Sequence, residues 1–291
     1  MRNVTFVMAV TLLKGGVGKT TTSIGLGLAL GREPRVGQVL LVDADPQASA
    51  TASRAALVRR ENLRTANLVA TRPAGSTPAW ATFDEVYPFA QCQLSFPAEG
   101  NLSRADVYHQ LADITEGHYR PTQIDDRTGP GPERTPSTPV IPNVIIVDTS
   151  PAYPGILGGV LDFVAEQDHA LLVVPTTMSD LDIPQARQFP EILNRSTANQ
   201  TPYALLATKF DRRRRTDLER LQALRAAYPV FNTVVPYGLP FARGPFDDHD
   251  KPKSPFGRVY KSVTAEAIEM LVGKWQPDVN PAGGEQQAAH A

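Results

Sequence analysis

Apolar residues fall in short unbroken runs, and polar stretches with helical spacing separate them. That is the pattern of a buried parallel sheet rather than of half-exposed alternating strands. Residues 4–13 form the first run and read as a central strand, apolar on both faces. Residues 20–31 read as the helix that follows, where Gly25 and Gly27 predict close packing on the sheet. Residues 38–42 read as a second strand and 48–60 as a helix. Further strands are expected at 143–148, 170–174, 203–207 and 230–235. Helices are expected near 156–165, 181–194 and 216–228. Phe256, Val259, Tyr260, Val263, Ala267, Met270 and Leu271 recur at helical spacing and predict a final amphipathic helix. The expected fold class is therefore α/β, a mostly parallel twisted β-sheet flanked by helices on both faces. In such sheets ligands sit at the carboxyl ends of the strands.

Residues 61–142 are the least legible part. They hold short apolar pieces, several prolines, an expected helix near 103–114 and a proline- and glycine-rich loop at 125–142. They read as a candidate insertion in a single domain over residues 1–275, with a polar tail at 276–291 expected to be disordered. A chain of 291 residues can bury the core such a domain needs. The net charge of −1 gives no bulk attraction to nucleic acid or membranes, so any such contact must come from a local patch. Cys92 is the lone cysteine, which excludes an intrachain disulfide or a cysteine metal cluster and suits a reducing cytoplasm. Arg2 and the apolar residues after it run straight into a glycine loop with no small-residue cleavage site, so a buried strand is expected rather than a signal peptide.

That loop is Lys14-Gly15-Gly16-Val17-Gly18-Lys19-Thr20-Thr21, set between a strand and a helix. Glycines let backbone N–H groups converge on phosphate oxygens, and the helix presents its positive end to the same anion. Lys19 can reach the β- and γ-phosphates, and the Thr20 hydroxyl can bind Mg2+. The usual pattern has glycine where Leu13 stands, and Lys14 precedes the first glycine instead.

These residues resemble the deviant Walker A motif of the ParA/MinD ATPases. Residues 42–47, with Asp43 and Asp45, look like the family's second motif, and residues 146–151, with Asp148, resemble its Walker B segment. Leu172-Val173-Val174-Pro175, Phe210-Asp211-Arg212 and Val234-Val235-Pro236 are similar to the ParA branch and follow in its order. The resemblance implies a Mg2+-dependent ATPase with ATP and Mg2+ as cofactors. It implies that Lys14 reaches a partner's phosphates across a homodimer, that Lys19 acts in its own subunit, and that Asp45 positions the attacking water. Gly15, Gly16, Val17, Gly18, Lys19, Thr20 and Thr21 would cradle the nucleotide, with Thr20, Asp43 and Asp148 at the metal. Thr208, Lys209 and Pro236 are placed near the adenine by position.

Arg212-Arg213-Arg214-Arg215 is a second candidate site. Four guanidiniums in a row must be well solvated, with Asp211, Asp217 and Glu219 offsetting part of their charge, or meet an anion. The resemblance favours the anion: a nonspecific DNA surface of Arg212, Arg213, Arg214 and Arg215, with Arg243 further along. It implies an ATP-dependent partition ATPase, cytoplasmic and nucleoid-associated, whose ATP dimer binds DNA and is released when a ParB-like centromere-binding partner stimulates hydrolysis. The alternatives are a MinD-like positioning ATPase and a nucleotide switch that scaffolds non-DNA cargo. Residues 276–291 carry no lysine or arginine, so no membrane helix is expected there. The first strand lies at the start of the sequence, so no amino-terminal helix-turn-helix is expected.

Overall fold

The computed structural model describes residues 5–33, 36, 39–47, 50, 90–94, 102–115, 142–151, 154–238 and 253–276. Its strands are β1 (Phe6–Val10), β2 (Val39–Ala44), β3 (Ala90–Gln93), β4 (Val144–Thr149), β5 (Ala170–Thr177) and β6 (Tyr203–Thr208). Its helices are α1 (Lys19–Gly31), α2 (Arg104–Thr115), α3 (Pro154–Ala165), α4 (Ile183–Asn194), α5 (Arg215–Arg225) and α6 (Pro255–Leu271).

Among the described residues, the strands form one sheet in the order β3-β2-β4-β1-β5-β6, and every pairing is parallel. The central strands are buried on both faces, which is why they read as continuous apolar runs. Alternate side chains divide between two cores. Val7 and Ala9 of β1 pack with α2, α3, α4 and α5 on one face. Met8 and Val10 pack with α1 and α6 on the other.

The parallel register brings Asp43 opposite Asp148 and Val10 opposite Asp148. The carboxyl ends of β1, β2 and β4 therefore lie together, and the glycine loop leaves β1 at that point. Helix α6 starts firmly: Ser254 accepts a hydrogen bond from the Gly257 N–H at 3.0 Å, and Pro255 occupies the first turn.

Two expectations need correction. Residues 230–235 are not a strand; they pair with the sheet as isolated bridges at Val230 and Pro236 and through the Val235 N–H, which donates to the Ala207 carbonyl at 2.8 Å. Between those bridges, the Asn232 and Thr233 N–H groups donate to the Glu266 carboxylate at 2.6 and 2.8 Å, so α6 takes the amides that a ladder would use. The first strand spans Phe6–Val10 rather than residues 4–13. One strand was missed: β3 extends the sheet beside β2 from within the illegible region. The expected helix near 103–114 is present as α2, opened by reciprocal bonds between Ser103 and Asp106. The helix expected at 48–60, the loop at 125–142 and the tail from 276 fall almost wholly outside the described residues.

Helix α1 lies so close to α6 that a Cβ on Gly25 would stand 2.4 Å from the Tyr260 ring. That ring is fully buried and its hydroxyl lies 3.3 Å from the Thr22 hydroxyl, which ties it to α1. Gly25→Ala is expected to destabilise the fold by about 1–3 kcal/mol through overpacking. Urea unfolding followed by circular dichroism measures it, and an unchanged midpoint would show that the ring can shift without cost.

Candidate nucleotide site

The loop between β1 and α1 contains two glycines in the left-handed region, Gly16 at φ 77° and Gly18 at φ 93°. A side chain is strained at either position, which accounts for glycine there. Gly18 is also the N-cap of α1. It offers no side-chain acceptor, and no acidic residue lies in the first helical turn. The amino end of α1 thus keeps its unsatisfied N–H groups for an external anion.

Lys19 opens the helix with only 6% exposure. Its Nζ donates to the Lys14 carbonyl at 2.6 Å, across the mouth of the loop. Burial lowers its pKa, while the charges of Asp148 and Asp45 act to raise it. Asp43 and Asp148 are wholly buried and Asp45 nearly so. Ser23, one turn along α1 from Lys19, donates to Asp148 Oδ1 at 3.0 Å. Asp43 Oδ1 accepts the Asp45 N–H at 3.1 Å, and Asp45 Oδ1 accepts the Gln47 N–H at 2.9 Å. This turn holds Asp45 beside the loop.

The Asp148 carboxyl is pushed up to about 7, by burial first and by the Asp43 charge second; hydrogen bonds from Thr20 and Ser23 and the Lys19 charge oppose the shift. Asp148 Oδ2 and Thr11 Oγ1 are buried with no hydrogen-bond partner. Two adjacent carboxylates, one with an orphaned oxygen, call for a cation. The donors at hand, the Thr20 hydroxyl and carboxylates, are all oxygen, which suits a hard ion such as Mg2+. Among the described residues no group of three or more His, Cys, Asp or Glu side chains gathers as a metal centre. An ion would therefore be held by Thr20 and by phosphate oxygens, with Asp43 and Asp148 close behind.

Pro236 and Thr21 border a cleft of about 50 Å3 beside Gly18, together with Thr208, Lys209 and Tyr237. This is where a base would follow from phosphates on the loop. Lys14 stands apart from its own loop: its ammonium lies 3.9 Å from Asp182 Oδ1, at the start of α4. Asp182 also accepts a hydrogen bond from Thr177.

The arginines occupy the turn into α5. Arg213 donates to Asp211 at 3.0 Å, Arg214 lies 3.8 Å from the same carboxylate, and Arg215 donates to Glu219 at 2.7 Å. All three remain strongly exposed. Arg212 is exposed beside them. Arg243 lies outside the described residues.

The predicted phosphate, metal and catalytic positions thus converge at one end of the sheet, and the arginines form a separate surface. Sequence reasoning missed Ser23 and Asp182. Ser23 could have been found as the residue one helical turn after Lys19. Asp182 gave no local signal, because only folding brings it to Lys14.

A parallel sheet, a glycine loop ending in Lys-Thr at a helix amino end, and paired strand-end carboxylates define a P-loop nucleotide-binding domain. Residues 8–249 match the CobQ/CobB/MinD/ParA nucleotide binding domain family. The chain belongs to this family of P-loop ATPases, and ATP and Mg2+ are the cofactors its loop fits. A 45-residue stretch is 60% identical to the maintenance of carboxysome distribution protein A of Gloeobacter kilaueensis, covering 16% of this chain and 19% of that protein. The chain is also similar in fold to cobyrinic acid a,c-diamide synthase of Mycobacterium smegmatis with bound ATP analog and magnesium. There the TM-score is 0.60 at 20% identity, over 94% of this chain and 99% of the other. A plasmid partition protein of Borrelia burgdorferi gives a TM-score of 0.56 at 16% identity, over 92% of this chain and 99% of the other. Among the described residues no helix is long and apolar enough to cross a membrane.

Folded Asp148 keeps its proton up to about pH 7, whereas the unfolded chain releases it near the ordinary value of 3.8. The native state then binds the extra proton between those values, so this group's contribution to stability falls as pH rises through that window. Without nucleotide, wild type should lose stability relative to Asp148→Asn between about pH 5 and about pH 7.5. Urea midpoints at both pH values test it, and a constant difference between the two proteins would contradict the assignment.

Proposed function

We propose that this chain is a Mg2+-dependent ATPase whose nucleotide state switches a homodimer and thereby positions or partitions a cargo. The observation that carries the reading is the placement of two lysines on one loop. Lys19 reaches back across the mouth of the loop to the Lys14 carbonyl, while the Lys14 ammonium turns away to the buried Asp182 carboxylate at the start of α4. That Lys14 serves a second copy is what the resemblance to the ParA/MinD ATPases implies, and its ammonium lying away from Lys19 supports this. Mg2+ would neutralise charge developing on the phosphates and hold their oxygens for in-line attack. Lys19 would bind the β- and γ-phosphates. Asp45, fixed by its turn with Gln47, would orient the attacking water.

For the track we propose nonspecific DNA, contacted through phosphates by Arg212, Arg213, Arg214 and Arg215, with release after hydrolysis stimulated by a ParB-like partner. Their exposure at the amino end of α5 supports this. A second reading, a switch for non-DNA cargo, is favoured by two observations. Asp211 and Glu219 already offset part of the arginine charge. One curated relative is named for carboxysome distribution. The two readings share one engine and differ in what the outer surface holds.

Lys14→Ala is expected to keep ADP binding and to lose ATP-dependent dimerisation, read by light scattering after size exclusion; dimers formed normally with ATP would refute the role of Lys14. Asp45→Ala should still dimerise with ATP but lower turnover by about 100-fold, in line with loss of a positioned general base. Equal rates would remove Asp45 from the mechanism.

DNA as track predicts duplex binding with ATP–Mg2+ but not with ADP–Mg2+. Binding should weaken with salt, and Arg215→Ala should flatten the slope of log affinity against log salt by about 0.9 for each lost contact. Normal ATP dimers that ignore duplex would leave the non-DNA reading.

A further inference from the structure

We propose that Thr208 and Lys209, at the end of β6, form a clamp that sets the peptide planes of the phosphate loop and makes Lys209 a positioning residue for nucleotide. The inference rests on the nucleotide-binding reading of the loop and assigns this pair a task beyond bordering the base cleft. Thr208 Oγ1 donates to the Val17 carbonyl at 2.7 Å. Lys209 Nζ donates to the Gly16 carbonyl at 2.6 Å. Two consecutive carbonyls of the loop are thus bonded from one segment nearly two hundred residues later in the chain.

The consequence follows from the peptide bond. A trans peptide is planar, so its C=O and the next residue's N–H point in opposite directions. Holding the Gly16 and Val17 carbonyls toward β6 turns the Val17 and Gly18 N–H groups the other way, into the space before α1. These amides join the unsatisfied N–H groups at the start of that helix, where an anion is stabilised. Unheld, glycine-rich peptides sample many orientations, and a phosphate would have to order them on binding.

Lys209 itself supports the reading. It sits at φ 51°, the one non-glycine residue with positive φ among the described residues. Left-handed backbone is uncommon for a residue with a side chain and costs least for glycine, yet a lysine stands here. Lys209 is also exposed, and its ammonium could be solvated, yet it is bonded to the loop. Thr208, by contrast, is 3% exposed, and the Val17 carbonyl at 2.7 Å is nearer than its other acceptor, the Thr176 carbonyl at 3.3 Å. Because Thr208 and Lys209 border the cleft with Pro236, the segment beside the base also holds the phosphate loop.

The clamp acts on amides that face the phosphates common to both nucleotides, so its loss should weaken ADP and ATP alike. Isothermal titration of ADP–Mg2+ and of a non-hydrolysable ATP analogue with Mg2+ into wild type, Lys209→Met, Lys209→Arg and Thr208→Val tests this. Lys209→Met and Thr208→Val are each expected to bind both nucleotides about tenfold more weakly, the size of one strong hydrogen bond, with the nucleotide-free protein still folded by circular dichroism. Lys209→Arg, which keeps a donor of similar reach, should restore binding to within about threefold of wild type. If Lys209→Met fails to fold, Lys209→Gly, which relieves the backbone strain while removing the ammonium, should show the same loss. Binding of both nucleotides within twofold of wild type in the folded Lys209 variant would overturn the clamp. So would a loss confined to the triphosphate, which would mean that Lys209 touches the γ-phosphate directly. Wild type that binds neither nucleotide would overturn the nucleotide reading itself, a result distinct from either.

Discussion

The structure turns on two carboxylates buried side by side. Asp43 and Asp148 end neighbouring parallel strands, and the ladder register sets them opposite each other, both wholly buried. Burial opposes ionisation there and the neighbouring like charge adds to it, so Asp148 holds its proton to about pH 7. The fold compensates in part: Lys19 brings a charge and Ser23 a hydrogen bond from the first turns of α1. What remains is a demand for positive charge, left by an orphaned carboxylate oxygen. Without nucleotide and its cation the site is electrostatically incomplete, and that is why ligand binding and stability should be linked.

The same demand explains why α1 must be held firmly. The helix carries Lys19, Thr20 and Ser23 to the carboxylates, and its buried glycine lets α6 approach closely enough to seat Tyr260 against it. Helix α6 in turn takes the amides of residues 232 and 233, drawing the chain before Pro236 out of strand geometry and toward the cleft. The glycine loop, the cleft beside Gly18 and α6 are therefore mechanically joined. The Lys14–Asp182 contact at the start of α4 and the exposed arginine turn before α5 lie outside this joint.

Much of this was written in local sequence. Buried parallel strands announce themselves as apolar runs, because both faces must be covered, and β1, β2, β4, β5 and β6 were legible for that reason. The glycine loop was legible because left-handed backbone and close phosphate approach restrict the residue choice at Gly16 and Gly18. Carboxylates ending apolar strands could be recognised at Asp43 and Asp148 once the loop was in view. An edge strand such as β3 gives a weaker signal, since it is short and its surroundings are proline-rich.

Tertiary structure alone decided the rest, and the reason is the same in each case: the partner lies far along the chain. No local pattern tells that Glu266 will take the backbone amides of Asn232 and Thr233 and prevent a strand that propensity favours. None tells that Asp182 will meet Lys14, or that Thr208 and Lys209 will grip the carbonyls of Val17 and Gly16. The sequence by itself determined which runs would be buried strands at the centre of the sheet and where the glycine loop would stand among them. Side-by-side packing of distant segments decided their charge states and the aim of their amides, because burial and hydrogen-bond partners exist only once the chain has folded.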